Sequence, residues 1–273
     1  MAPARMIKLL LCDIDGTLVR PDKSLGPPVV DAVARLQAVG VCVSIISARP
    51  MSGMLWIAER LNLTHPMAAF NGATIFDANG KITRADHLGE AEAARALALL
   101  AEHKVEPWAF ANGRWYATTG EGEHAARERC SAGIEPTVQA DLIALTTRVD
   151  KIVGVSDDYA MLEALKPEMI AAMAGCATVA RSQLYYLDVT PLSGNKGDGV
   201  TAIARECGVP LEQVAVIGDQ RNDLAMFARA GLSVAMGNGP EDVRAAAQFT
   251  TTGNDVDGFA HAIDTIILPR IAR

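Results

Sequence analysis

LLLCDIDGTLV, residues 9–19, runs an apolar stretch straight into two carboxylates, Asp13 and Asp15, followed by Gly16 and Thr17. A run with no polar alternation marks a strand covered on both faces. Alternate strand residues point to opposite faces, so Asp13 and Asp15 share a side only while the chain stays extended. Two neighbouring carboxylates repel, and burying either costs free energy unless it is paired. The stretch therefore predicts a buried strand with a charged site at its carboxyl end.

The pattern continues outward. MIKLLLC (6–12) reads as the whole strand. PPVVDAVARLQAVG (27–40) is a helix with proline at its start and glycine at its end. VCVSII (41–46) is a second buried strand, SGMLWIAERLNL (52–63) a second helix and MAAF (67–70) a third short strand. Apolar strands alternating with helices predict a parallel sheet covered on both faces.

After about residue 80 the style changes. EAEAARALALLAEH (90–103) is an amphipathic helix, and PWAFANGRWYAT (107–118) reads as two strands around Asn112-Gly113, a hairpin signal. A helix near 121–132, a strand at 151–156, a helix at 158–175 interrupted by Pro167, and two strands near 177–190 complete an α+β insert. About a hundred residues suffice for a separate domain. The first pattern then returns. It gives helices at 196–208, 222–231 and 256–267, and strands VAVIGD (214–219) and LSVAMG (232–237). The expected fold class is α/β. A doubly wound, Rossmann-like parallel-sheet core, residues 1–83 and 188–273, is interrupted by an α+β cap, residues 84–187.

Composition limits the function. The 273 residues are 50% hydrophobic and 21% charged, which suits a soluble globular protein of one or two domains. No apolar stretch reaches the roughly 20 residues of a membrane span. The opening MAPARMIKLLLCD has a brief apolar run and no small-residue cleavage site, so no secretory signal is expected. Five scattered cysteines without a CxxC pair point to free thiols in a reducing cytoplasm. A net charge of −7 without a Lys/Arg cluster argues against nucleic acid as the main partner.

Open parallel sheets bind ligands outside the carboxyl ends of their strands. There the predicted strands deliver Asp13 and Asp15, then Ser47-Ala48-Arg49, then Asn71-Gly72, then Gly218-Asp219 with Asn222 and Asp223 close behind. Lys196 opens the preceding helix. Clustered carboxylates without cysteine or histidine form a hard-oxygen site suited to Mg²⁺. Lysine, hydroxyl and amide donors beside them can hold a phosphoryl group. A carboxylate can itself be the nucleophile.

DIDGT at 13–17, Ser47, Lys196 and GDQRND at 218–223 resemble, in order and spacing, the four motifs of the haloacid dehalogenase superfamily of phosphatases. The long gap between Ser47 and Lys196 is where that superfamily inserts a type-two cap. Asn71-Gly72-Ala73, Ala235-Met236-Gly237-Asn238 and Asp257-Gly258 resemble its Cof-like, IIB branch. Ser47-Ala48-Arg49 departs from the Thr-Gly-Arg usual in close relatives but keeps the hydroxyl.

The resemblance implies that Asp13 attacks phosphorus, and that Asp15 protonates the leaving alcohol and then deprotonates water. It implies that Thr17, Ser47 and Lys196 bind phosphoryl oxygens, with Asn222 fixing the phosphate or the lysine. Asp13, the Asp15 carbonyl and Asp219 would ligate Mg²⁺, with Asp223 as a further ligand or an anchor. Asn71 and Gly72 would belong to a substrate loop. The expected substrate is a small phosphorylated metabolite, and the expected place the cytoplasm. A phosphotransferase or phosphomutase on the same scaffold, or a non-catalytic metabolite-binding protein, is the alternative. Trp108 and Trp115 are expected in the cap core. The five histidines are read as ordinary surface or partly buried residues. Arg181, Arg221, the substrate's identity and the oligomeric state are left unassigned.

Overall fold

The computed structural model describes residues 6–271, so the first five residues of the opening segment lie outside the described part. Along the chain come β1 (Leu9–Cys12), α1 (Pro27–Ala38), β2 (Cys42–Ile45), α2 (Leu55–Arg60), β3 (Met67–Ala69), β4 (Thr74–Phe76) and β5 (Ile82–Ala85). Next are α3 (Glu90–Glu102), β6 (Glu106–Ala111), β7 (Arg114–Ala117), α4 (Glu123–Ala132), β8 (Pro136–Val138), β9 (Val149–Val155), α5 (Tyr159–Met173), β10 (Ala177–Ala180) and β11 (Tyr186–Pro191). The chain ends with α6 (Lys196–Glu206), β12 (Val214–Gly218), α7 (Leu224–Phe227), β13 (Leu232–Ala235), α8 (Glu241–Ala246), β14 (Phe249–Thr250) and α9 (Gly258–Ala262).

Five strands form the core sheet in the order β14-β13-β12-β1-β2, all parallel. β1 is wholly buried, with apolar packing on both faces. After β1 the chain winds toward β2; it later returns to the other side of β1 as β12. The loops leaving β1 and β12 thus part to opposite faces, which opens a crevice between their carboxyl ends.

The expected third parallel strand is corrected. β3 touches the core sheet through one parallel bridge, Ile46 to Ala68, and then pairs antiparallel with β4. The chain reverses because Phe70 (φ 48°) and Asn71 (φ 57°) are both left-handed and Gly72 follows at φ 111°. A β-strand cannot continue through such dihedrals. β4 and β5 complete this small sheet, and neither is foreseen in the sequence reading.

The insert builds a six-stranded sheet, β10-β11-β9-β6-β7-β8, antiparallel except for the β7–β8 pair. Asn112 (φ 54°) and Gly113 (φ 72°) make the β6–β7 turn, as the hairpin signal demands. α3 and α5 cover one face, burying Leu97, Leu100, Leu162, Leu165 and Met169 among Val149, Ile152, Leu187 and Val189. Pro167 does not interrupt α5, which runs unbroken from Tyr159 to Met173. A helical proline forfeits one backbone hydrogen bond. Burial of Leu162, Leu165, Met169 and Met173 on both sides of it holds the helix together.

The other face of the cap sheet looks at the core domain. Trp108, Phe110, Trp115, Val153 and Tyr186 merge into the same apolar cluster as α1, β1 and β2. Trp108 and Trp115 are buried edge-to-face, centroids 4.9 Å apart, on this core-facing side rather than under α3 and α5. The Ser52 hydroxyl donates to the Ala132 carbonyl of α4 at 2.6 Å, and Lys151 Nζ donates to the Ala48 carbonyl at 3.2 Å. The cap is therefore seated on the core. The sequence seams at 83 and 187 fall inside β5 and β11; the crossings lie at 86–89 and 192–195 instead. β5 pairs with β4 in the small sheet, and β11 with β9 and β10 in the cap sheet, so neither position is a break between sheets.

At the first crossing His87 Nδ1 lies 3.1 Å from Asp150 Oδ1. Burial pushes the Asp150 carboxyl up to about 6, with His87 and Arg148 opposing. A carboxyl raised in the fold lends stability below its unfolded value near 4 and loses it as pH climbs through 6. Asp150→Asn should thus melt higher than the parent at pH 7.5, by up to about 3 kcal/mol. The two melting curves should converge at pH 4. A variant that is less stable at pH 7.5 would show that the His87 pairing outweighs burial.

Candidate active site

The first turn after β1 is built to bring Asp13 and Asp219 together. The Ile14 carbonyl accepts the N–H groups of Thr17, Leu18 and Val19, folding the chain back on itself. Gly16 sits at φ 84°, and a Cβ there would overlap the Asp219 carboxylate. Thr17 Oγ1 donates to Asp219 Oδ1 at 2.9 Å. Its single proton is committed there, and its side chain is buried away from the cavity. In this arrangement Thr17 orients Asp219.

Lys196 is the first residue of α6, whose N-cap Asn195 accepts the Asp198 N–H. Its side chain is wholly buried and reaches Asp13 Oδ1 at 2.6 Å and Asp223 Oδ1 at 2.5 Å. Asp223 Oδ2 accepts the N–H groups of Asp219 (2.7 Å) and Gln220 (2.8 Å). Asp223 thus ties the lysine to the loop after β12. Both its oxygens are engaged, which fits the anchoring role better than that of a direct metal ligand.

Carboxylate oxygens of Asp13, Asp219 and Asp223 lie within 4.8 Å of one another. Burial pushes Asp13 up to about 7, with Asp223 and Asp15 adding to the rise and Lys196 opposing it. Burial also drives Asp219 well above the ordinary carboxyl range, with Asp13 and Asp223 reinforcing it. Lys196 resists its own burial, held above its usual value by the two aspartates. One ammonium thus serves three buried carboxylates. Such a set lacks positive charge, and all its donors are hard oxygens, so a divalent cation such as Mg²⁺ fits it.

The Asp15 side chain stands outside this cluster. Arg49 grips it with two bonds, Nε to Oδ2 at 2.6 Å and Nη2 to Oδ1 at 2.8 Å, and Lys23 Nζ adds a third at 2.6 Å. Burial alone would raise its pKa, but Arg49 and Lys23 outweigh burial and hold it below the usual carboxylate range. Asp15 is therefore a charged acceptor in this arrangement. The sequence reading gives Arg49 and Lys23 no role. Arg49 sits in the loop with Ser47 and so carries a positional hint, whereas nothing local marks Lys23.

Ser47 is buried at the end of β2. Its Oγ accepts the Arg49 N–H at 3.2 Å, leaving its own proton free to donate. Its carbonyl accepts the Asn71 N–H at 2.7 Å. Asn71 in turn accepts from Asn222 Nδ2 at 3.2 Å, while Asn222 Oδ1 is buried with no partner. Gly72 lies so close to α6 that a Cβ would press on the Asn195 carbonyl and Gly199. Asn71 thus supports Asn222 while Gly72 packs on α6, and neither lines the cavity itself.

A cavity of about 50 Å³ remains between the two domains, lined on the core side by Asp13, Asp15, Ser47 and Asn222. The cap closes it with Arg127, Glu128, Lys151 and Tyr185 among others, none of which the sequence reading identifies. Ligand sites are typically ~300–1,000 Å³, so this space is smaller than a whole phosphorylated metabolite needs. Among the described residues no histidine joins the carboxylate cluster, and all five cysteines are free.

A family model described as haloacid dehalogenase-like hydrolase matches residues 10–263. A Haemophilus influenzae protein is 29% identical over 256 residues, 93% of this chain and 96% of its own. The pyridoxal phosphate phosphatase of Escherichia coli is 24% identical over 94% of this chain and 97% of its own. The solved structure of a sugar phosphatase of subclass IIB superposes with a TM-score of 0.81 at 25% identity, covering 94% of this chain and 98% of that one. Among the described residues no helix is long and apolar enough to cross a membrane.

Proposed function

The chain belongs to the haloacid dehalogenase-like hydrolase family and is a phosphoric monoester hydrolase, and from that premise we propose that it hydrolyses a small phosphorylated metabolite with Asp13 as nucleophile and Mg²⁺ as cofactor. The observation that carries this reading is the buried Lys196 ammonium, 2.6 Å from Asp13 Oδ1 and 2.5 Å from Asp223 Oδ1. It fixes one Asp13 oxygen and leaves the other free to attack.

In the first half-reaction an Asp13 oxygen forms a bond to phosphorus as the bond to the leaving alcohol breaks. The departing oxygen takes a proton from Asp15. To supply that proton Asp15 must first leave Arg49 and Lys23, which hold it ionised. In the second half-reaction water attacks the phosphorus of aspartyl-phosphate and Asp15 accepts its proton. The bond to Asp13 then breaks and orthophosphate departs. The clamped carboxylate is already in the form that this second step needs. The Ser47 proton and an Asn222 N–H would contact the phosphoryl oxygens; both residues line the cavity beside Asp13. Asp13 and Asp219 would hold Mg²⁺, with Asp223 behind them. The cation would neutralise the charge that grows on the phosphoryl oxygens.

Two relatives, a pyridoxal phosphate phosphatase and a sugar phosphatase, support a small phosphomonoester as substrate. The test is phosphate release from p-nitrophenyl phosphate and from a panel of phosphorylated metabolites, with Mg²⁺ and then with excess EDTA. Turnover should require the metal and return on its re-addition. Undiminished activity in EDTA would overturn the metal assignment. No release from any panel member would overturn the hydrolase reading.

A further inference from the structure

A second cavity, of about 210 Å³, opens beside the first. Gln183 of the cap and Gln220 and Asn222 of the core line both cavities. These three side chains are therefore all that stands between Asp13's cavity and the second one. The second cavity is lined by three cations, Lys166, Arg181 and Arg221, and one carboxylate, Glu163, with Asp242 behind Arg221 as its partner. That balance contrasts with a chain whose net charge is −7.

Arg181 is the informative side chain. Its Nη1 donates to Glu163 Oε2 at 2.7 Å, but its Nε and Nη2 are buried and have no partner. Buried donors are rarely left unpaired, because each costs the full desolvation of the group. Nε and Nη2 form one edge of the guanidinium fork, the edge that matches a carboxylate or phosphate with two parallel bonds. Arg221 stands on the core side of the same cavity. Asp242 holds it through Nε at 2.8 Å and Nη2 at 3.3 Å, which orients the side chain.

We propose that this cavity receives a second anionic group of the substrate, so that the enzyme prefers phosphomonoesters that also carry a carboxylate or a second phosphate. The inference rests on the phosphatase reading and deepens it. The scissile phosphate lies at Asp13, the body passes Gln183, Gln220 and Asn222, and the distal anion meets the free edge of Arg181. Asn222 Oδ1, also unpartnered, is placed to accept a hydroxyl proton from the body.

The test compares matched probes. One pair is 6-phosphogluconate against sorbitol 6-phosphate, which differ in a terminal carboxylate. The other is fructose 1,6-bisphosphate against fructose 6-phosphate. Losing charge-assisted hydrogen bonds weakens binding roughly 10- to 100-fold. The member with the second anionic group should therefore lead in kcat/KM by that factor in at least one pair, mainly through KM. A lead in the first pair alone identifies a carboxylate, and in the second alone a phosphate. Arg181→Gln should bring the ratio close to one, and Arg181→Lys should restore part of it. If Arg181→Gln fails to fold, Arg221→Gln should lower the same ratio.

Calorimetric titration of the Asp13→Asn protein with each probe should give the same preference in Kd. Ratios near one in both pairs, in turnover and in Kd, would overturn the proposal. Release of phosphate from p-nitrophenyl phosphate in the same preparation would leave the hydrolase reading standing, so the two failures are distinguishable.

Discussion

Asp13→Asn should give a folded protein whose turnover of p-nitrophenyl phosphate falls by at least about three orders of magnitude, because the amide cannot form the covalent intermediate. The fold should survive for a reason visible in the site. Asp13 shares a buried pocket with Asp219 and Asp223, and burial pushes its carboxyl up to about 7. The environment thus disfavours its charged form, and the amide removes that charge at nearly constant volume. Lys196 keeps Asp223 as partner. The melting temperature in metal-free buffer at pH 8 should not drop. Activity within tenfold of the parent would refute the nucleophile assignment. A large loss of stability would refute the electrostatic account of the cluster.

Lys196→Met should behave in the opposite way, losing both activity and stability. The methionine fills much of the same space but leaves Asp13, Asp223 and Asp219 in a buried site with no ammonium. Removing one partner of a buried ion pair typically costs about 3–5 kcal/mol, since the remaining charge is uncompensated. For a chain of this size that lowers the melting temperature by on the order of 10 °C. Thermal unfolding of the two variants side by side is the decisive measurement. If Lys196→Met proves as stable as the parent, the lysine is not the counter-charge that holds these carboxylates in the fold. Combining Asp13→Asn with Lys196→Met should recover part of the lost stability, because one uncompensated charge is gone. Neighbours in one network are not additive, and the double variant reads that coupling directly.

Asp15 shows how the same residue pair is split by its surroundings. Asp13 has one lysine and two neighbouring carboxylates, and its pKa rises. Asp15 has a bidentate arginine and a second lysine, and its pKa falls despite burial. Environments that push two carboxyls apart are how one site assigns a nucleophile and a proton carrier. In the proposed cycle the cap, the Arg49 grip and the substrate phosphate all bear on when Asp15 can take up a proton.

Much of this was legible in the residues themselves. LLLC before Asp13 could only be a strand covered on both faces, and VAVIG before Asp219 likewise. Strands of that kind imply a parallel sheet, and a parallel sheet puts its ligands at the carboxyl ends. The glycine at 16 and the Asn-Gly at 112–113 announced themselves because local backbone rules act over a few residues, whereas Lys196 stood out only through its place in the order of motifs. Tertiary structure decided the rest. Pro167 stayed helical because packing on both sides outweighs one lost hydrogen bond. β3 left the core sheet because Phe70 and Asn71 adopt left-handed dihedrals that no propensity marks. Thr17 turned to Asp219 rather than to the cavity, and Lys23 and Arg49 closed on Asp15 from separate loops. Those contacts join residues up to 202 positions apart in the chain. Their geometry follows from how β1, β2 and β12 bring their carboxyl-end loops together across the core sheet, which no short-range pattern encodes.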